Sequence, residues 1–268
     1  MKHTVEFTAG SIIGASHRKK GGNNQDSYTT YCDDTLFIGL ISDGCSNKDN
    51  PYSRSDVGSA LLCEFTTSSI LSLRHQIGNE TFFQTLFLDV CDRIALHLSL
   101  IEQPERYASK YLQATLLGCI ICDNQVWIFS CGDGLYFLNG TQYTILPQEG
   151  NSPVYLAYKF TPVLPNTLSS ETLDRELRFH VQQSICMDEV DSVLLGSDGL
   201  QELIDAHDQI IHVRNEPIGE INQWWTKDLY FRNPVSATNW LRMMNEGGYC
   251  KDDVTLIGLR KKKEVPNG

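Results

Sequence analysis

Two apolar runs that lie far apart in the chain end in the same three residues, Ser-Asp-Gly. The first run is LFIGLISDG (Leu36 to Gly44) and the second is SVLLGSDG (Ser192 to Gly199). Such short apolar runs predict buried β-strands, and a buried strand holds its last side chain at a fixed place on the sheet edge. Asp-Gly alone is a common turn dipeptide, but a glycine after the strand also lets a backbone carbonyl approach a ligand. Each strand end therefore predicts a firmly placed oxygen ligand for a hard cation.

The predicted secondary-structure elements do not alternate regularly between strand and helix. They are strands within residues 4–42, helices at 55–73 and 80–101, a strand meander at 111–147, an irregular flap at 148–175, strands within 176–198, helices at 200–210 and 233–247, and a closing strand at 252–260. This order differs from the β-α-β alternation of a doubly wound fold. It predicts an α+β sandwich in which two sheets pack face to face and helices cover them outside.

Length and charge limit the class of protein. The 268 residues contain no internal repeat and no linker, so residues 1–260 are predicted to form one domain, followed by a basic tail at residues 261–268. A net charge of −11 argues against nucleic acid or an anionic membrane as a partner. No segment has the roughly 18 apolar residues that span a bilayer, and the N-terminus lacks the apolar core of a signal peptide. We therefore expect a cytoplasmic protein, with a monomer as the simplest state.

Further aspartates occupy the edges of other predicted strands. They are Asp26, Asp133, Asp252 and Asp253. Carboxylates that converge in one place need a counter-charge to stay ionised. Because the set consists almost entirely of oxygen donors, Mg²⁺ or Mn²⁺ suits it better than zinc. The sequence therefore predicts that the two Ser-Asp-Gly ends hold metal ions between the two sheets, with the convergence in space as the hypothesis to be tested.

Five segments, in this order and at this spacing, resemble the metal-dependent serine/threonine protein phosphatases (the PPM, or type 2C, family) in their compact bacterial form. The segments are SHRKKGGNNQDSY, LFIGLISDG, ATLLGCIICDNQVWIFSCGDGLYFLNG, VLLGSDGLQELI and KDDVTLIGL, and the resemblance extends over about residues 8–260. It implies a four-layer α-β-β-α sandwich of two mainly antiparallel sheets flanked by helices. It also implies hydrolysis of phosphomonoesters in phosphorylated proteins, by a water molecule activated between two Mn²⁺ or Mg²⁺ ions, with a third ion possible.

The resemblance implies a role for each acidic residue of the predicted site. The metal-binding positions would be Asp26, Asp43, Gly44, Asp133, Asp198, Glu202 and Asp252. Asp43 would bridge both ions, and Asp198 and Asp252 would hold the second ion, so that these three residues carry the catalysis. Asp26 would bind metal directly or through ordered water. Asp133 looks like the residue that serves a third, weaker ion in some members, and Glu202 stands where an acid often helps that site.

Three positions depart from the family pattern. Many members have a phosphate-binding arginine where this chain has Gly21 and Gly22. Gln25 stands where many members have glutamate, so one carboxylate is missing. Cys45 stands where some members have a histidine that is proposed as a general acid, although bacterial members often lack that histidine too.

A basic run before the first aspartate offers a replacement for the missing arginine. A dianionic substrate in an acidic site needs a cation, so His17 or Arg18 is predicted to contact the phosphate, with Lys19 as a further candidate. The alternatives are a solvated basic loop and, for His17, a structural role. Asp253 falls where the family has Asp or Asn, and it is predicted to support the site structurally.

Two other functions stay open at the level of sequence. The missing arginine and Gln25 are compatible with a catalytically weak pseudophosphatase that binds a phosphoprotein or another partner. Against it, the carboxylates at 26, 43, 198 and 252 would repel one another and destabilise the fold if no metal were bound. A phosphatase for small molecules is the second alternative, because specificity would depend on the flap and on surface loops.

Overall fold

The computed structural model describes residues 5–45, 54–147, 153–161, 168–211, 214–221 and 227–262. Its strands are β1 (Val5–Ile12), β2 (Ser27–Cys32), β3 (Leu36–Ser42), β4 (Leu116–Cys122), β5 (Gln125–Cys131), β6 (Gly134–Leu138), β7 (Thr141–Ile145), β8 (His180–Cys186), β9 (Ser192–Gly196), β10 (Ile210–Ile211), β11 (Glu216–Pro217) and β12 (Val254–Lys261). Its helices are α1 (Ala15–Lys19), α2 (Ser55–Ser72), α3 (Phe82–Leu98), α4 (Pro104–Tyr111), α5 (Ser170–Glu176), α6 (Leu200–Asp205) and α7 (Ser236–Glu246).

Ten of the strands form two five-stranded sheets. The first sheet has the order β1-β12-β9-β6-β7, and the second has the order β2-β3-β4-β5-β8. Every pair of neighbours in both sheets is antiparallel. The first and the last of the described strands, β1 and β12, pair over their full lengths in the first sheet. Strands β10 and β11 form a separate two-stranded ribbon.

Three apolar clusters separate the layers of the molecule. The inner faces of the two sheets pack on each other, with Phe37 and Ile41 from β3 in the same cluster as Leu195 from β9 and Ile257 from β12. A second cluster joins α2 and α3 to the outer face of the second sheet. A third joins α6 and α7 to the outer face of the first sheet. This arrangement confirms the predicted α-β-β-α sandwich.

The strand meander predicted for residues 111–147 is wrong in one respect. Strands β4 and β5 belong to the second sheet, whereas β6 and β7 belong to the first. The chain passes between the sheets at Gly132, Asp133 and Gly134, and the φ angles of the two glycines are +97° and +146°. Because such angles are readily adopted only by glycine, they redirect the chain there. Asp133 therefore lies in a crossing between the two sheets and not in a hairpin turn.

The flap predicted at 148–175 lies partly outside the described residues. Its described parts contain a 3₁₀ turn at Leu156–Phe160 and the beginning of α5. Residues 154–158 are buried within the apolar cluster of the helical layer on the second sheet. Of the predicted tail, residues 263–268 lie outside the description, and β12 itself continues to Lys261. None of the described helices combines the length and the apolar character that crossing a membrane requires.

Candidate metal and active site

The serine of each Ser-Asp-Gly end ties its strand to a neighbouring strand. Ser42 Oγ donates a hydrogen bond to the backbone oxygen of Thr115, beside β4, at 2.6 Å. Ser197 Oγ accepts a hydrogen bond from the backbone nitrogen of Thr255, in β12, at 3.0 Å. Because both strands are buried along their whole length, these bonds fix the positions of the aspartates that follow. One aspartate extends from each sheet toward the cleft between them.

The glycine of each end is required by a close approach of backbone. A Cβ atom on Gly44 would lie 2.7 Å from the backbone oxygen of Gln25, and one on Gly199 would overlap with the backbone oxygen of Asp253. A real Cβ cannot occupy such a position unless the neighbouring backbone moves. Glycine therefore allows the segments that carry Asp26 and Asp252 to reach the two strand ends.

Three carboxyl groups form a connected row between the sheets. The carboxyl group of Asp43 lies close enough to those of Asp26 and Asp198 for both to shift its pKa. Asp26 is only 6% exposed, and burial raises its pKa to about 7, with the charge of Asp253 adding to the shift. Burial, and then the charges of Asp26 and Asp198, raise the pKa of Asp43 well above its ordinary value. When no cation is bound, burial and mutual repulsion thus favour the protonated forms of these acids.

A cavity of about 210 Å³ opens onto this row. Its described lining residues are His17, Asp43, Gly44, Cys45, Thr115, Asp133, Pro153, Tyr155, Asp198, Asp252 and Asp253. Burial, and then the charge of Asp198, raise the pKa of Asp133 to about 6. Asp198 is exposed at the cavity, yet desolvation of its carboxyl group and the charge of Asp252 raise its pKa as well. The cavity thus collects acids from both sheets.

The donor atoms of this cavity fit divalent cations. Asp26 Oδ2 is buried and has no hydrogen-bond partner among the described residues. No lysine or arginine occurs among the described residues that line the cavity. Clustered carboxylates need positive charge to stay ionised near neutral pH, and oxygen-rich sites suit Mg²⁺ and Mn²⁺. The residues present therefore fit the metal ions that the sequence predicts.

Glu202 contacts the backbone beside the cavity and is not among its described lining residues. Its Oε2 accepts hydrogen bonds from the backbone nitrogens of Lys251 and Asp252, at 2.6 Å and 3.3 Å. Glu202 thereby holds the loop that presents Asp252. A role for Glu202 as a ligand of a third ion, together with Asp133, stays a prediction.

His17 and Asp253 form a pair on the cavity wall. The distance from His17 Nδ1 is 2.9 Å to Asp253 Oδ2 and 3.8 Å to Asp252 Oδ1. The hydrogen bond with Asp253 is the main cause that raises the pKa of His17. Asp253 is 3% exposed and also accepts hydrogen bonds from the backbone nitrogens of Gly14 and Gln25, at 2.7 Å and 2.6 Å. Asp253 thus joins the histidine to two backbone segments that border the site.

The other predicted phosphate contact lies outside the cavity. Arg18 is exposed on α1 and is not among the described lining residues. Conversely, sequence patterns did not point to Thr115 or Tyr155, which both line the cavity. The side chain of Tyr155 interacts with the thiol of Cys45, and burial raises the pKa of Cys45. Tyr155 lies in the segment predicted as an irregular flap, so no periodic pattern marked it.

Comparisons with known proteins agree with this geometry. A family model described as protein phosphatase 2C matches residues 13–242. A bacterial serine phosphatase structure is similar at 14% identity and a TM-score of 0.57, over 97% of this chain and 99% of that one.

Two further solved structures are also similar. The serine/threonine phosphatase Stp1 from Staphylococcus aureus is 15% identical, with a TM-score of 0.54 over 97% of this chain and 96% of that one. The serine/threonine phosphatase PstP/Ppp from Mycobacterium tuberculosis is also 15% identical, with a TM-score of 0.50 over 97% of this chain and 100% of that one. No curated protein sequence matches the chain. At these identities the structural likeness shows the fold alone.

Proposed function

The chain belongs to the protein phosphatase 2C family, and on that premise we propose that it hydrolyses phosphoserine and phosphothreonine esters in proteins with two divalent metal ions. The family match confirms the resemblance stated above and, with it, the prediction of a serine/threonine protein phosphatase. The observation that supports the metal-dependent reaction is the row of Asp26, Asp43 and Asp198. Asp43 and Asp198 line a cavity whose described lining contains no lysine or arginine, and Asp26 is buried behind them.

The proposed ligands are oxygen atoms from both sheets and from the crossing between them. They are Asp26, Asp43, the Gly44 carbonyl, Asp198 and Asp252, with Asp133 and Glu202 for a third, weaker ion. When bound, Mn²⁺ or Mg²⁺ ions would lower the pKa of a coordinated water molecule toward neutrality and would neutralise negative charge on the phosphoryl group. The protein contributes fixed carboxylates, because Ser42 and Ser197 anchor the strand ends that carry Asp43 and Asp198.

His17 is the proposed contact to the substrate phosphate. Its Nδ1 lies 2.9 Å from Asp253 Oδ2, which orients the imidazole ring at the wall of the cavity that would receive the phosphate. Arg18, exposed on the same helix, is the second candidate. The cytoplasmic location and the monomeric state stay predictions of the sequence.

The test is hydrolysis of an aryl phosphate and of a phosphothreonine peptide with Mn²⁺, with Mg²⁺ and with a chelator. We expect metal-dependent turnover of both substrates and its loss in Asp43→Ala and in Asp198→Ala. Asp89→Ala is the matched control, because Asp89 lies on α3 and pairs with Arg93 at 2.8 Å. Folded protein that binds metal without turnover would favour the non-catalytic module. Turnover of the aryl phosphate alone would favour a phosphatase for small molecules.

A further inference from the structure

A second cavity, of about 120 Å³, lies beside the acid-lined cavity of the candidate site, which we call the catalytic cavity. Pro153 lines both. We call the second one the flanking cavity. One wall is apolar and consists of Ile145, Leu146, Pro147, Pro153 and Val154. Gly132 also lines the flanking cavity, whereas the next residue, Asp133, lines the catalytic cavity. The two cavities therefore adjoin each other at Pro153 and at the peptide bond between Gly132 and Asp133.

The polar side chains among the described lining residues of the flanking cavity form bonds with one another or with their neighbours. Gln182 Nε2 donates a hydrogen bond to Ser130 Oγ at 2.9 Å. His180 Nε2 lies 3.3 Å from Glu176 Oε2, and the other oxygen of Glu176 accepts a hydrogen bond from Arg175 Nε at 2.6 Å. Among the described lining residues, the apolar wall is the part whose side chains form no hydrogen bond or ion pair, so it is free to contact an apolar ligand group.

Leu146 is the most exposed part of that wall. Its side chain is 75% exposed, although it follows directly after strand β7 and lines the cavity. A large apolar side chain in this position gains from being covered, since each Å² of apolar surface removed from water contributes about 25 cal/mol. The flanking cavity thus offers an apolar contact next to the site of reaction.

Resting on the proposed function, we propose that the flanking cavity binds an apolar side chain of the phosphoprotein substrate, within three residues of the phosphorylated one. An extended peptide advances about 3.3 Å per residue, so a substrate whose phosphate occupies the catalytic cavity brings a neighbouring side chain to the adjoining space. Continuity through Pro153 and Gly132 favours the substrate over an unrelated partner. The cavity would then select substrates by sequence, in addition to the phosphate.

The test uses the metal-loaded, full-length protein and a series of phosphothreonine peptides. Each peptide carries a single leucine at one position from −3 to +3 in a glycine and serine background. We expect kcat/KM to rise about 5- to 20-fold for leucine at one position, mainly through a lower KM. Leu146→Ser should remove this preference, so that the ratio of peptide to aryl phosphate turnover falls by the same factor. Leu100→Ser is the matched control, because Leu100 is 80% exposed and lies beyond the end of α3.

Two results would overturn the proposal. One is a flat profile across the seven peptides, and the other is an equal loss of peptide and aryl phosphate turnover in Leu146→Ser. If neither substrate is turned over with any metal, the proposed function fails, and peptide binding measured by fluorescence polarisation still decides the role of the cavity. Leucine-dependent affinity that disappears in Leu146→Ser supports it, and equal affinity for all peptides contradicts it.

Discussion

Asp43 has its carboxyl group buried beside two other acids of the site. Its carboxyl group lies between those of Asp26 and Asp198, and both neighbours raise its pKa in addition to burial. Such a group costs stability when it is ionised and unaccompanied by a cation. The same position is favourable once a divalent ion lies among the three carboxylates. As a proposed metal ligand, Asp43 would therefore favour metal binding at a cost to the stability of the metal-free protein.

We predict that Asp43→Asn abolishes metal-dependent turnover and stabilises the chelated protein. The amide keeps the size of the side chain and is neutral at every pH, whereas the buried carboxyl group must either take up a proton or bear a charge beside two other acids. We expect Tm in chelator to rise by about 3 °C, which corresponds to about 1 kcal/mol. Asp89→Asn is the control, because Asp89 forms an ion pair with Arg93 at 2.8 Å and its pKa is lowered. Its Tm should fall slightly. A lower Tm for Asp43→Asn in chelator would contradict the argument.

Neighbouring aspartates at 252 and 253 should respond in opposite ways. Asp253 is 3% exposed, and its loss leaves the backbone nitrogens of Gly14 and Gln25 without their acceptor. We expect Asp253→Ala to lower the free energy of unfolding by about 2–4 kcal/mol in chelator, measured by urea titration. The side chain of Asp252 is 53% exposed. Asp252→Ala should leave that stability nearly unchanged and abolish metal-dependent turnover. Equal stability of the two variants would show that Asp253 has no supporting role.

At the scale of elements, the site depends on how closely loops approach strand ends. Gly199 follows β9 with a φ of −58°, which any residue adopts, so a side chain there is excluded by contact alone. The contact is with the backbone oxygen of Asp253. Any larger residue would push the loop before β12 away from the end of β9. The distance between Asp198 and Asp252 would then increase.

We predict that Gly199→Ala costs about 2 kcal/mol or more in stability and weakens metal binding. The measurements are urea unfolding in chelator and the Mn²⁺ concentration at half-maximal turnover. Gly78→Ala is the control, because Gly78 has a φ of +94° and nothing within 4 Å of an added Cβ. That variant should cost about 1 kcal/mol through backbone strain alone and keep its metal dependence. An unchanged Mn²⁺ requirement in Gly199→Ala would mean that the loop position does not control the site.

The elements that bury a long apolar face are the ones that the sequence predicts. Helix α2 begins at Ser55 as its pattern indicates, and α3 lies within the predicted range. Helix α1 buries no residue and α4 buries only Ala108, so neither carries an apolar period. Pro104 at the start of α4 was the one local signal. The passage of the chain between sheets at residues 132–134 depends on contacts distant in sequence, which periodicity does not record.

The same reasoning separates the predictable from the unpredictable parts of the site. Asp43 and Asp198 could be identified because a buried strand dictates where its end lies. Tyr155 could not, since its place depends on packing within the helical layer and on contact with the distant Cys45. The need for Gly199 to admit the Asp253 carbonyl is equally invisible in one local stretch of sequence. The prediction that these distant residues meet in one site came from the resemblance to a family, because local sequence patterns do not record such contacts.

At the scale of the whole molecule, the acid cluster links stability to pH. Asp26 has a pKa of about 7 and Asp133 of about 6, against 3.8 for an ordinary aspartate. Between the ordinary pKa and the raised pKa of each group, the folded protein binds more protons than the unfolded chain does. The free energy of unfolding therefore falls as pH rises through this range. The raised pKa of His17 acts in the same direction above its ordinary value of 6.5. The lowered pKa of Asp33 acts in the opposite direction, but its contribution is complete above about pH 5.

We therefore predict that the chelated protein loses about 2–4 kcal/mol of unfolding free energy between pH 5 and pH 7.5. Saturating Mn²⁺ should reverse the trend, because protons and metal compete for the same carboxylates and only the ionised form binds the ion. Urea unfolding at constant ionic strength, with and without Mn²⁺, measures both slopes. Asp43→Asn should flatten both. If the chelated protein gained stability over this range, the buried carboxyl groups would already be ionised in the fold, and metal would not be needed to hold them together.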